Sequence, residues 1–205
     1  MTQPPNTTFS PGWAAWTRHF LEQQMAPMMR HIRPSLPDRR ALWVEIGSYE
    51  GRSACWVLQQ MLTGPDAHMI CIDPWDRAAG HGAVFMRFLG NLRAIGAQHS
   101  VSTMSMSSRE VTHSMLRSLD AIQRRPGGDI DVAYIDGDHH ARSALLDGAL
   151  LWPLIRSGGH IVFDDYPLNK GPANHPAPGI DAFLQLWADE LVVVHQGWNV
   201  IARKK

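Results

Sequence analysis

Residues 42–53, L-W-V-E-I-G-S-Y-E-G-R-S, constrain this chain more than any other stretch. The run 42–46 is apolar except for one carboxylate near its end. Strands covered on both faces lose polar alternation, so this run predicts a buried parallel strand. Gly47 and Gly51 open a turn, and A-C-W-V-L-Q-Q-M-L over 54–62 predicts a helix. Strand, glycine-rich turn and helix together suit a nucleotide-like ligand. The glycines let the backbone come close, and the N–H groups at a helix start favour negative charge. The pattern is E-x-G-x-x-x-G, with Tyr49 where a dinucleotide fold keeps its middle glycine. That suits a ligand without a pyrophosphate.

With 205 residues, 44% of them hydrophobic, the chain is long enough for one large α/β domain with a full core. Its 19 basic and 19 acidic side chains cancel. No basic field is available to hold a polynucleotide backbone, so a nucleic-acid partner is disfavoured. Cys55 and Cys71 lie in apolar surroundings and read as buried free thiols. The first ten residues lack the basic and apolar regions of a signal peptide. No run of about 18 apolar residues is present to cross a membrane. The expectation is a cytoplasmic protein.

Residues 1–10 read as a flexible arm. Residues 13–29 predict a helix whose apolar face carries Trp13, Trp16, Phe20 and Leu21, with Pro27 bending or ending it. This helix either packs on the sheet or covers the ligand site. Trp13 and Trp16, taken as exposed, suit a lid or a contact with a second copy. The chain thus divides into 1–40, an arm and helical cap, and 41–205, a ligand-binding domain.

A second strand, 68–73, closes on Asp73, 28 residues after Glu45. A carboxylate at that tip is where a ribose needs an acceptor for its hydroxyls. Trp75 offers an adenine an aromatic wall or plugs the core. Residues 78–82 read as a mobile insertion before a helix over 83–95. A third strand, 101–104, ends in a serine cluster. Its Ser107 either faces a base or caps a helix that begins near Arg109 and continues over 111–122. A fourth strand covers 131–136. A helix over 141–154 ends at Ser157-Gly158-Gly159, read as a glycine stop. A fifth strand, 160–163, is followed by a loop over 168–179 and a helix over 180–189. Strands 191–195 and 198–202, linked by Gln196-Gly197, are too close for a crossover and must pair antiparallel. The sum is a doubly wound, mostly parallel, seven-stranded α/β sheet with an antiparallel last strand. Glu45, Asp73, Ser107, Asp136 and Asp164 all lie at carboxyl ends of strands, where such sheets bind ligands.

Asp136 and Asp164 stand 28 residues apart with one helix between them, so they can meet. With Asp165 they offer three oxygen donors for an octahedral Mg²⁺. A cation there would bind a substrate hydroxyl and lower its pKa. Asp138 reads as a cap of the helix that starts near Ala141. His139 is a candidate general base, since a neutral imidazole accepts a proton at working pH.

The motifs V-E-I-G-S-Y-E-G-R-S, C-I-D-P-W, V-A-Y-I-D-G-D-H, G-G-H-I-V-F-D-D-Y and P-A-P-G-I-D-A-F-L together resemble class I S-adenosylmethionine-dependent methyltransferases. More narrowly, they are similar to the small bacterial enzymes of the catechol and macrocin O-methyltransferase group, over residues 42–205. The resemblance implies a Rossmann-like methyltransferase fold in the larger part of the chain. It implies that Glu45 and Gly47 line the methionine part of S-adenosylmethionine. Ser48 falls in the same turn, and Gly51 and Ser53 would sit near the amino-acid end. Asp73 would hold the ribose beside Trp75, and Ser107 would lie by the adenine. Asp136, Asp164 and Asp165 would bind Mg²⁺ or another divalent metal. His139 falls where catechol-type enzymes keep a lysine, a departure that leaves the base open between His139, Asp136 and neither.

The implied activity is a metal-dependent O-methyltransferase acting on a small hydroxylated acceptor, by in-line displacement. Three alternatives stay open. One is a metal-independent N- or carboxyl-methyltransferase, another a non-catalytic cofactor-binding or oligomer-forming member, and the last, on fold alone, a nicotinamide oxidoreductase. Self-association is open.

Overall fold

Strand β1 (Leu42–Ile46) is buried at every position, as is β4 (Ile130–Ile135). Both are mostly apolar, with Glu45 and Asp131 the charged exceptions, because they run through the middle of the sheet with helices on both faces. The computed structural model describes residues 5–10, 16–75, 82–119 and 130–205. The other strands are β2 (His68–Asp73), β3 (Val101–Ser105), β5 (Ile155–Phe163), β6 (Leu191–Gln196) and β7 (Val200–Lys204). Their order is β3-β2-β1-β4-β5-β7-β6. The first five pair in parallel, and β7 runs antiparallel to both β5 and β6. The order reverses between β1 and β4, which opens a crevice at their carboxyl ends.

A helical run over 18–31 begins with a π turn, Phe20–Met25, and passes into α1 (Ala26–His31). Further helices are α2 (Arg52–Gln60), α3 (Gly82–Ala94), α4 (His113–Ser118), α5 (Ala141–Leu151) and α6 (Ala177–Leu186). One face of the sheet packs Trp43 and Tyr134 against Phe20, Met28, Trp56 and Phe88. The other packs Val44, Ile70 and Phe163 against Leu116, Ala144 and Phe183. Successive strand residues point to opposite faces, which is why Trp43 and Val44 fall in different cores.

Several expectations change here. Ser157-Gly158-Gly159 stop no helix. Helix α5 ends at Leu151, a 3-10 turn covers Trp152–Leu154, and the glycines lie inside β5. The register slips between the Ile130 and Val132 pairs, and Gly158 supplies the positive φ of 75° that this irregularity uses. The helix expected over 111–122 is the short α4, which ends at Ser118 with Leu119 as its C-cap, and residues 120–122 lie outside the described residues. The link between β6 and β7 is three residues, 197–199. Pro27 does not end the first helix. It sits in the first turn of α1, where the π turn has already broken the regular ladder that proline cannot join.

The arm is not loose over 5–10. Thr8 N–H donates to Asn91 Oδ1 at 2.6 Å, and Asn91 Nδ2 donates back to Thr8 O at 2.9 Å. Trp16, on the face that either packs on the sheet or covers the ligand site, is 8% exposed and belongs to the core. Trp13 and residues 78–81 of the expected insertion lie outside the described residues. Among the described residues, no helix is long and apolar enough to cross a membrane.

Candidate active site

A cavity of about 550 Å³ opens at the carboxyl ends of the central strands, a size that suits a small ligand. Its walls include Gly47, Asp73, Trp75, Ser107, Asp136 and His139. The turn after β1 forms one side. Gly47 has φ 90°, and a Cβ there would lie 1.9 Å from the carbonyl oxygen of Asp136. Glycine is therefore required where the β1 turn passes the end of β4. Gly51, at φ 82°, is the N-cap of α2, and a Cβ on it would meet the Phe88 ring at 2.9 Å.

Glu45 is 0% exposed. Its Oε1 accepts from Ser53 Oγ and its Oε2 from Ser48 Oγ, both at 2.6 Å. Burial pushes its pKa up to about 7, although both serine bonds oppose this. Ser48 and Ser53 both bond Glu45 and line a smaller cavity shared with Gly47 and Asp136.

Asp73 accepts from Tyr49 N–H at 3.0 Å and from Trp75 N–H at 2.9 Å. These bonds tie the tip of β2 to the glycine-rich turn. Trp75 packs in the core with its ring tilted at 44° and 4.8 Å from both Phe85 and Phe88, and it also lines the cavity. Its Nε1 donates to Tyr49 O at 2.7 Å. Ser107 forms a capping box with Glu110 at the 3-10 turn Ser108–Glu110 and lines the cavity.

At the other side, Asp136, His139 and Asp165 bring one potential ligand atom each within 4.8 Å of one another. Asp164, expected in that set, is turned away and is 4% exposed. Its Oδ2 accepts from Tyr134 Oη at 2.5 Å and Gln24 Nε2 at 2.9 Å, and its Oδ1 accepts from Asp165 N–H at 2.8 Å. His139 takes the place the sequence reading gave to Asp164. Its Nε2 lies 3.1 Å from Asp165 Oδ2, and its Nδ1 lies 3.4 Å from Asn174 Oδ1. Burial, then the charges of Asp164 and Asp165, hold the Asp136 carboxyl well above its ordinary pKa. Two carboxylates and an imidazole crowded in this way suit a divalent cation, whose charge relieves the repulsion. The donor set fits.

Asp138 does not cap α5: His140 is the N-cap and no side chain bonds the helix start. Asp138 instead accepts from His140 N–H at 3.3 Å and Ser143 Oγ at 2.8 Å and pairs with Arg109 at 2.9 Å. Four residues near the site escaped the sequence reading. Gln24 and Tyr134 hold Asp164, and Glu50 with Ser10 fastens the arm. Glu50 is 1% exposed, accepts from Ser10 N–H at 2.7 Å and Ser10 Oγ at 2.6 Å, and pairs with Arg87 at 2.6 Å. A tyrosine inside the otherwise aliphatic strand D-V-A-Y-I was the one signal available for Tyr134.

A family model described as a methyltransferase domain matches residues 44–166. An uncharacterized protein of Acanthamoeba polyphaga mimivirus is 30% identical over 125 residues, covering 60% of this chain and 51% of the relative. This chain thus spans about half the length of that curated relative. The O-methyltransferase TomG from Streptomyces achromogenes, solved with S-adenosylmethionine, is similar at TM-score 0.60 and 19% identity. The match covers 98% of this chain and 83% of TomG. The methyltransferase MycE of the mycinamycin pathway, solved with Mg, S-adenosylhomocysteine and mycinamycin VI, is similar at TM-score 0.63 and 16% identity. That match covers 96% of this chain and 51% of MycE.

Proposed function

This chain belongs to the methyltransferase-domain family, and from that premise we propose that it transfers a methyl group from S-adenosylmethionine to a hydroxyl of a small molecule, aided by a divalent cation at Asp136, His139 and Asp165. The observation that carries the reading is the meeting of two half-sites in one crevice. The β1 turn and Asp73 form one half, and the two carboxylates with an imidazole form the other.

In this reading the Asp73 carboxylate accepts the ribose hydroxyls. Gly47, with no side chain, lets the methionine portion pass close to the backbone. Trp75 and Ser107 border the place of the adenine. The bound sulfonium supplies an electrophilic methyl, so the protein's task is to place an oxygen in line with it and exclude competing nucleophiles. Asp136, His139 and Asp165 would hold a divalent cation, which would supply Lewis-acid chemistry to a neighbouring hydroxyl.

His139 presents an Nε2 lone pair to that place when its Nδ1 carries the proton toward Asn174 Oδ1. We assign His139 to the ligand set together with Asp136, rather than to general-base duty. The zero formal charge favours a small acceptor over a polynucleotide. The solved complex of MycE with Mg supports a cation in this fold, and the charge crowding at Asp136 supports one in this chain.

Calorimetric titration of S-adenosylmethionine and of Mg²⁺ into wild type, Asp73→Asn and Asp136→Asn tests the assignment. The expected result is cofactor binding weakened about tenfold or more with Asp73→Asn and cation binding lost with Asp136→Asn. A wild type that binds no S-adenosylmethionine overturns the function. Methyl transfer that persists in a chelator moves the chain to the metal-independent reading.

A further inference from the structure

We infer that Gln24 is a positioning residue for the cation site, acting through Asp164 on the backbone of Asp165; the inference rests on the cation reading given above. Gln24 lies in the π turn Phe20–Met25, far from the crevice in sequence, and is 6% exposed. A π turn repeats at five residues instead of four. Phe20 and Met25 both enter the core, and the Gln24 amide reaches the end of β5. The turn is itself anchored, because Asn199 Nδ2 donates to Gln24 O at 2.8 Å.

The Asp164 carboxylate is then held by three donors. Gln24 Nε2 at 2.9 Å and Tyr134 Oη at 2.5 Å share Oδ2, and Asp165 N–H donates to Oδ1 at 2.8 Å. The third bond matters for the site. Asp165 has φ 56°, a left-handed conformation that a non-glycine residue holds only when its surroundings enforce it. The bond from its N–H to Asp164 is part of that enforcement. In this conformation the Asp165 side chain receives Trp198 Nε1 at 3.1 Å and stands 3.1 Å from His139 Nε2.

Remove the Gln24 amide and a buried carboxylate loses one of its three donors. Tyr134 and the Asp165 N–H still hold Asp164, but less firmly, and the bond that positions Asp165 loosens with it. Gln24 touches none of the presumed ligands, so its effect must pass through Asp164.

The test uses the full chain with Mn²⁺ as the probe. Gln24→Leu keeps the volume and removes the donor. Tyr134→Phe removes the other side-chain donor and carries the test if Gln24→Leu fails to fold. By calorimetry, each variant is expected to bind Mn²⁺ at least tenfold more weakly than wild type. S-adenosylmethionine affinity of Gln24→Leu should stay within twofold, because the Asp73 side of the crevice is untouched. In turnover, the Mn²⁺ concentration for half-activation should rise while kcat at saturating Mn²⁺ recovers, a split that general loosening of the fold would not produce. Unchanged Mn²⁺ affinity in a folded variant overturns the inference and leaves the cation reading intact. A wild type that takes up no Mn²⁺ overturns the cation reading, and this inference with it.

Discussion

Gly47 lies under the carbonyl of Asp136 with no room for a side chain, since a Cβ would come within 1.9 Å of that oxygen. The relation joins the cofactor turn to the strand end that carries the first carboxylate of the cation site. Gly47→Ala must strain φ 90° and push β1 from β4. Left-handed strain and overpacking together predict a loss of about 2–5 kcal/mol. Urea unfolding checks this. If the variant folds, both S-adenosylmethionine and Mg²⁺ affinities should fall, because one displacement moves both half-sites. A loss confined to one ligand would refute the coupling.

Glu45 predicts a pH dependence. Its pKa stands at about 7 in the fold against an ordinary 4.5, first because of burial. The native state therefore holds this proton more tightly than the unfolded chain. Its contribution to stability is full below about pH 4.5 and is lost as pH rises through about 7, a change of about 3 kcal/mol at most. Glu45→Gln removes the titration. Between about pH 5 and about pH 8, wild type should lose more stability than Glu45→Gln in urea unfolding. Equal losses would mean that burial of this charge does not set the slope.

The strands around these residues were legible because their signals are local. The apolar runs of β1 and β2 have the bounds read from the sequence, and each ends in a glycine or carboxylate that marks the crevice. Gly158 and Gly159 misled because a glycine pair suits a helix stop and a strand irregularity equally. The arm and Gln24 were illegible for another reason. Ser10 meets Glu50 across 40 residues, and Gln24 meets Asp164 across 140. No periodicity records such a pairing. The exchange of Asp164 for His139 in the candidate ligand group turns on the left-handed backbone at Asp165, a conformation that sequence does not announce at an aspartate.

Asp73 separates a structural role from a binding one. It accepts two backbone N–H bonds, from Tyr49 and Trp75, so its removal would loosen the turn as well as the ribose site. Asp73→Asn keeps the side-chain shape but only one acceptor oxygen, whereas Oδ2 takes the Tyr49 N–H and Oδ1 the Trp75 N–H, so one of the two turn bonds is lost. The thermal midpoint should therefore fall modestly, while the Kd for S-adenosylmethionine rises about tenfold or more, worth about 1.4 kcal/mol. Calorimetry with a parallel melting curve distinguishes the two. A large fall in melting temperature with unchanged Kd would make Asp73 a turn residue alone.

The arm makes the last prediction. Ser10 gives both its N–H and its hydroxyl to Glu50, and Phe9 borders a small cavity shared with Gly47, Arg52 and Asp136. Residues 5–10 thus lie against the methionine end of the proposed cofactor site, held partly by one buried carboxylate. Ser10→Ala deletes the hydroxyl bond, and hydrogen bonds to charged groups contribute about 1.5–3 kcal/mol. Because the arm opens locally, this loss should appear in the arm more than in global stability. Amide hydrogen exchange at Thr8 and Ser10 should quicken about tenfold or more. S-adenosylmethionine should dissociate faster in stopped-flow displacement, with its association rate less affected. If exchange at Thr8 is equally fast in wild type and variant, the Ser10–Glu50 bonds do not hold the arm. Faster exchange with an unchanged dissociation rate would show that the arm is fastened there but does not cover the ligand.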